Sequence, residues 1–206
     1  MFEKASVYDT PLDSKYLLAV LSKSDGTCKV GLNNDYALQG KICFPREYVD
    51  ADGTTYQITG LAGGALAKSD SEQQQDNGLT ANTNIKAVFF EGTLDNTSFI
   101  TEFAADCFAK CTSLIHVDFP RSLRVIGQNC FLEAERLQFY DLSHVTQFDS
   151  GCFYRAGTKV TQMNTLQISP GALYSASAFD ACGHSTIQIG NDLDRWSSNS
   201  RLSQTS

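Results

Sequence analysis

The chain is short of several things, and each shortage closes off a class of function. It has one Trp, two Met, four Pro and three His among 206 residues. Charged residues make up 19%, below the roughly 25% of an average soluble chain. There is no Lys/Arg cluster, and the formal net charge is −7. Phosphate is repelled by such a chain, which argues against nucleic-acid binding and disfavours anionic membrane. No run approaches the roughly 18 consecutive apolar residues of a spanning helix, so membrane insertion is not expected. Residues 1–13 lack a basic stretch followed by an apolar one, and no secretory leader is read there. Gly-rich phosphate loops and a Gly-x-Ser-x-Gly elbow are both absent, and the carboxylates are too scattered to argue an acid pair.

Cysteine is present in an odd number, seven. Secreted disulfide frameworks pair an even number. These cysteines are better read as small buried hydrophobes, because five of the seven fall on the slots of a repeat. Cys107-Phe108, Cys130-Phe131, Cys152-Phe153 and Ala178-Phe179 recur at spacings of 23, 22 and 26 residues. Cys111 and Cys182 stand three residues after their Phe. An apolar residue (Phe103, Ile126, Phe148, Tyr174) precedes each Phe by five. Self-similarity at 20–29 residues marks a leucine-rich-repeat solenoid. No single coil can bury its own apolar face, so coils stack on one shared core. Hydrophobic residues are 42%, with 13 Phe, enough for such a core of seven to eight coils.

Alignment on the strand patterns gives three columns. The centre column is Ile42, Val88, Val117, Tyr140, Leu166 and Ile187. Two residues later stand Phe44, Phe90, Phe119, Leu142, Ile168 and Ile189. Three residues earlier stand Gln39, Ile85, Leu114, Leu137, Met163 and His184. Alternation puts the centre and +2 side chains on one face. A second extended segment per coil is predicted from Ile58-x-x-Leu61, Ile100-x-x-Phe103, Leu123-x-x-Ile126 and Val145-x-x-Phe148. One helical turn is then expected over 104–110, 128–134, 150–155 and 178–181, each driving its Phe inward into an aromatic stack. Asp25-Gly26 and Asp52-Gly53 between apolar runs are hairpin turns, so a β-hairpin cap is expected at the N-terminal end. The predicted organisation is an arm over 1–15, a solenoid over 16–193 with a polar loop insertion at 68–84, and a polar tail over 194–206.

These residues resemble the BspA-like leucine-rich repeats, a bacterial-surface and phage-associated type. The match is best over Phe108-Ala-Lys-Cys111-Thr-Ser-Leu114-Ile-His-Val117-Asp-Phe119-Pro120 and on through Val125-Ile126-Gly127-Gln-Asn-Cys130-Phe131. Gly40-Lys-Ile42-Cys-Phe44-Pro45 is similar to the family's opening coil. The resemblance implies a right-handed stack of parallel strands whose members bind proteins. A β-rich α/β solenoid is therefore the fold expected. Many members carry a secretory leader. The lack of one here favours a phage virion part or an intracellular scaffold over classical secretion.

Catalytic, cofactor and metal sites are not expected. Cys107 and Cys111 share a turn, but no second Cys or His pair stands at ligand spacing. Asp50-Ala-Asp52-Gly53 is similar to the start of a calcium loop without its terminal Glu, and a hairpin turn accounts for it better. The exposed strand positions carry the functional expectation. Lys86 and Phe89 on one strand, Ile115, His116 and Asp118 on the next, and Gln138, Phe139 and Asp141 on the third form a partner-binding row, with Phe89, Ile115 and Phe139 outward. Contiguous exposed apolar residues mark an interface. The function expected is a non-enzymatic protein-binding part of a larger assembly, with a phage virion as the expected setting. The alternative is a cell-surface adhesin-type module binding host protein or glycan. Protein partners are expected, and a homo-oligomer is compatible with this.

Overall fold

A computed structural model describes residues 10–66, 75–76, 78–139, 141–161, 165–189 and 192–195. Tyr140, Met163, most of the 68–77 loop, most of the N-terminal arm and residues 196–206 of the tail lie outside them.

Each coil lends one short strand to a long ladder and one to a short ladder. The long ladder runs, in spatial order, through Leu17–Ser22, Thr27–Leu32, Thr55–Leu61, Glu102–Phe103, Val125–Ile126, Gln147–Phe148 and Leu173–Tyr174. Its first two strands form an antiparallel hairpin across Asp25-Gly26. From Thr27–Leu32 onward the order just given is parallel. Leu61, Phe103, Ile126, Phe148 and Tyr174 stand in register, the column expected from their spacing. Glu47–Val49 pairs antiparallel with Thr55–Leu61 across Asp52-Gly53.

The short ladder is split. Gly40–Phe44, Ile85–Phe90 and His116–Val117 form one parallel sheet, with Ile42, Val88 and Val117 in register. Asp141–Leu142, Leu166–Ile168 and Thr186–Ile189 form another. Thr186–Ile189 also pairs antiparallel with Asp192–Arg195, a closing hairpin that the apolar columns do not announce.

The core lies between the two ladders. Phe108, Phe131, Phe153 and Phe179 are almost wholly buried and lie one above another. Centroid separations are 5.0, 5.0 and 5.5 Å, with planes within 9° of parallel. Ring pairs of this kind add roughly 0.5–1.5 kcal/mol each beyond area burial. All seven cysteines are free and buried. Positions 39 and 79 depart from the sequence reading. Gln39 is exposed while Leu38 packs on the core, and Leu79, inside the expected polar insertion, is buried.

The expected helical turns are not helices. Among the described residues the one helical element is the 3-10 turn Ser14–Tyr16. Asp106, Lys110, Asn129, Glu133, Arg155 and Ala181 have φ between 53° and 59°, a left-handed conformation that a right-handed helix cannot continue through. The N–H groups alternate instead. Those of Ala109 and Cys111 donate three residues back to Asp106 and Phe108. Those of Asp106, Phe108 and Lys110 donate across to Gln128, Cys130 and Leu132 of the next coil. The pattern repeats as Asn129, Phe131 and Glu133 donate to Ser150, Cys152 and Tyr154. The turns are thereby a third hydrogen-bonded side of the stack, and the buried polar backbone of these segments is paired.

Candidate functional site

The structure divides the expected partner-binding row. Lys86, Gln138 and Asp141 are exposed, and Ile115, His116 and Asp118 are half-buried. Phe89 and Phe139 are not outward aromatics, since each is 2% exposed. Phe139 points inward because of register. Gln138 bridges His116, which sets Phe139 beside the inward Val117, where the sequence columns place Tyr140. Shifting a strand by one residue exchanges its two faces. The Phe139 ring stacks on Phe153 at 4.5 Å and meets His184 edge-on at 4.5 Å.

Phe89 does alternate away from the inward Val88 and Phe90. It is buried in a small separate cluster with Cys43 and Ala87, and its ring lies 5.3 Å from that of His116. The outer face of this sheet thus carries its own apolar packing rather than an open aromatic patch.

Ile115 and Gln138 are brought together with Arg136, Lys159, Val160 and Thr161 around a cavity of about 330 Å³. It opens beside the place where the short ladder splits. The sequence reading missed the last four, because Arg136 and the 159–161 loop belong to no apolar column. Ion pairs lead up to it. Arg155 reaches Glu133 at 3.5 Å and Glu135 at 3.7 Å, and Lys159 also pairs with Glu135. Lys159 and Arg155 hold the Glu135 carboxyl below its usual value, the Lys159 hydrogen bond being the main cause. On the neighbouring strand His116 Nε2 lies 3.0 Å from Asp118 Oδ1.

Five of the seven thiols are poor candidates for nucleophilic chemistry. Burial pushes Cys28, Cys43 and Cys182 up to about 11 and Cys111 up to about 12, and it raises Cys152 as well. A thiol must ionise to attack or to bind metal. Among the described residues no group of three or more His, Cys, Asp or Glu side chains is placed to hold a metal ion. The Asp50 and Asp52 carboxylates accept from the backbone N–H groups of their own turn, at 2.9–3.1 Å. This is the hairpin-turn use expected of them.

Parallel short strands stacked at a period near 22 residues define the class as a leucine-rich-repeat solenoid. Residues 81–202 match the BspA type Leucine rich repeat region, in six copies. The chain belongs to that family. A leucine-rich repeat protein from Bacteroides ovatus ATCC 8483 superposes with a TM-score of 0.58 at 15% identity, over 81% of this chain and 37% of its own. A leucine rich cell surface protein from Faecalibacterium prausnitzii A2-165 gives 0.52 at 14%, over 93% of this chain and 60% of its own. The likeness is one of fold, and this chain spans less than two thirds of either protein. No curated protein is matched by sequence.

Proposed function

We propose that the chain is a non-enzymatic protein-binding module, a structural part of a larger assembly, and that its partner docks on the outer side of the short ladder. The observation that carries this reading is the cavity where Ile115 and Gln138 meet Arg136 and Lys159. Its walls are held by coil-to-coil hydrogen bonds and so are already in place before docking. A preformed surface loses little order on binding. Exposed Lys86 and Gln138, on the strands either side of half-buried Ile115, supply a polar rim around it, the anatomy of a protein interface. The raised thiols of Cys28, Cys43, Cys111, Cys152 and Cys182 support the non-enzymatic reading. We expect the stack to wind right-handedly, as the family implies.

Two settings fit. One is a phage virion, where such a module holds structural neighbours together. The other is a cell surface, where it acts as an adhesin-type module, and the cell-surface description of the Faecalibacterium prausnitzii neighbour favours that second setting.

The test places a photo-crosslinking amino acid at Gln138 and, as a control outside the cavity, at exposed Leu94, in cells or virions of the natural source. The expected result is a single partner adduct from position 138 that is absent from position 94. A virion structural protein or an envelope or host-surface protein in that adduct decides the setting. No adduct from position 138, or the same adducts from both positions, would overturn the docking face.

A further inference from the structure

A second cavity, of about 470 Å³, lies at the other ladder, across three successive coils. Gln128 comes from one coil, Gln147, Asp149 and Ser150 from the next, and Leu173 and Tyr174 from the third. It shares no lining residue with the cavity beside Gln138. Its polar groups sit side by side. Gln147 Nε2 donates to Asp149 Oδ1 at 2.9 Å, and Ser150 Oγ lies 2.8 Å from Ser177 Oγ. Leu173 is 71% exposed on the edge strand of the long ladder, and Tyr174 beside it is half-buried.

We propose that this cavity is a binding site for a neutral sugar residue of a glycan. The one charged group in the lining is the Asp149 carboxylate, which repels anions. A carboxylate accepts two hydroxyl protons, and the neighbouring amides both donate and accept. Vicinal diols need acceptors and donors next to each other, and Gln147 with Asp149 and exposed Gln128 with Ser150 supply them. Leu173, outward on the edge strand beside Gln147, gives the C–H face of a pyranose an apolar surface to lie on, while Tyr174 alternates toward the core. The volume falls within the range of small-ligand sites. The ladder fixes the spacing of the three coils, so the backbone carrying these polar groups is already in place.

Saturation-transfer NMR on the whole chain tests this, with glucose, galactose, mannose, N-acetylglucosamine, cellobiose and lactose as neutral probes. Sialic acid and a lysine-rich peptide are the charged comparisons. Transfer to at least one neutral probe is expected, with affinity reduced about tenfold or more in Asp149→Asn and in Gln147→Ala. Gln128→Trp, which fills the cavity from an exposed position, should abolish transfer while circular dichroism stays unchanged. The proposal is overturned if no neutral probe shows transfer, if binding survives all three substitutions, or if the sialic acid or the peptide binds there in preference. Loss of sugar binding leaves partner docking at Gln138 intact, so the two readings fail separately.

Discussion

At the scale of single residues the fold turns on what is small as much as on what is apolar. Gly60 stands in register between Lys29 and Glu102 on the outer face of the long ladder. Because position 60 has no side chain, Lys29 reaches across it to Glu102 at 2.6 Å. A Cβ added at Gly60 would lie 2.9 Å from the Glu102 carbonyl oxygen and 3.5 Å from Lys29 Cγ. The first of these neighbours is backbone and can move only with its strand. Gly60→Ala is therefore expected to lower the unfolding free energy by roughly 1–3 kcal/mol, read from the urea midpoint. The ion pair itself is partly exposed and contributes at most about 1 kcal/mol. Lys29→Met should consequently shift the midpoint far less than the alanine at position 60, and equal shifts would mean that the charge, not the close approach, is what matters.

The elements were legible wherever one face of the pattern was silent. The Cys-Phe recurrence gave away the ring column because Phe108, Phe131 and Phe153 each follow a Cys at a regular spacing of 22 to 23 residues. The strand columns followed from alternation. Phe89 was misread because residues 85–90 are apolar at five of six positions, so alternation there says nothing about which side is covered. Phe139 was misread because Leu137, Phe139, Tyr140 and Leu142 support either of two registers, and only the His116–Gln138 bridge decides between them. Gly190-Asn191, a turn dipeptide, stood before the closing strand Asp192–Arg195 and could have revealed it. The turns looked helical because Lys, Glu, Arg and Ala are good helix formers, yet they occupy left-handed positions. Lys110 is one of these, exposed with φ at 59°. An L-residue there bears a cost of roughly 1–2 kcal/mol that glycine avoids. Lys110→Gly should raise the unfolding free energy by about 1 kcal/mol, with an unchanged denaturant slope. A lowered midpoint would show that the left-handed turn is not imposed by the stack.

For the whole molecule, pH is a lever on stability. His144 is half-buried, and its Nε2 is buried without a hydrogen-bond partner among the described residues. Burial lowers its pKa below 6.5, Arg124 and Arg121 act in the same direction, and Asp141 opposes them. An unfolded chain then takes up the proton more readily than the folded one. The stability His144 contributes is complete above about 6.5 and falls as the pH drops through that value toward the folded pKa. Asp141 adds to this at lower pH. Burial pushes its carboxyl up, but hydrogen bonds from Ser143 outweigh that and leave it below 3.8, so its contribution is lost as pH falls below 3.8. Melting temperature should decline from neutral pH toward pH 5, and His144→Gln should flatten that decline. An unaltered profile in the variant would assign the loss to other groups.

The turns that send alternate N–H groups to the next coil also settle how the molecule yields to force. Tension along the stack axis loads these links in series. Turns should then come away singly from whichever end is weaker, each paying out 22 to 26 residues, about 75–90 Å of slack. A body built this way is expected to lengthen in steps under strain, one turn at a time.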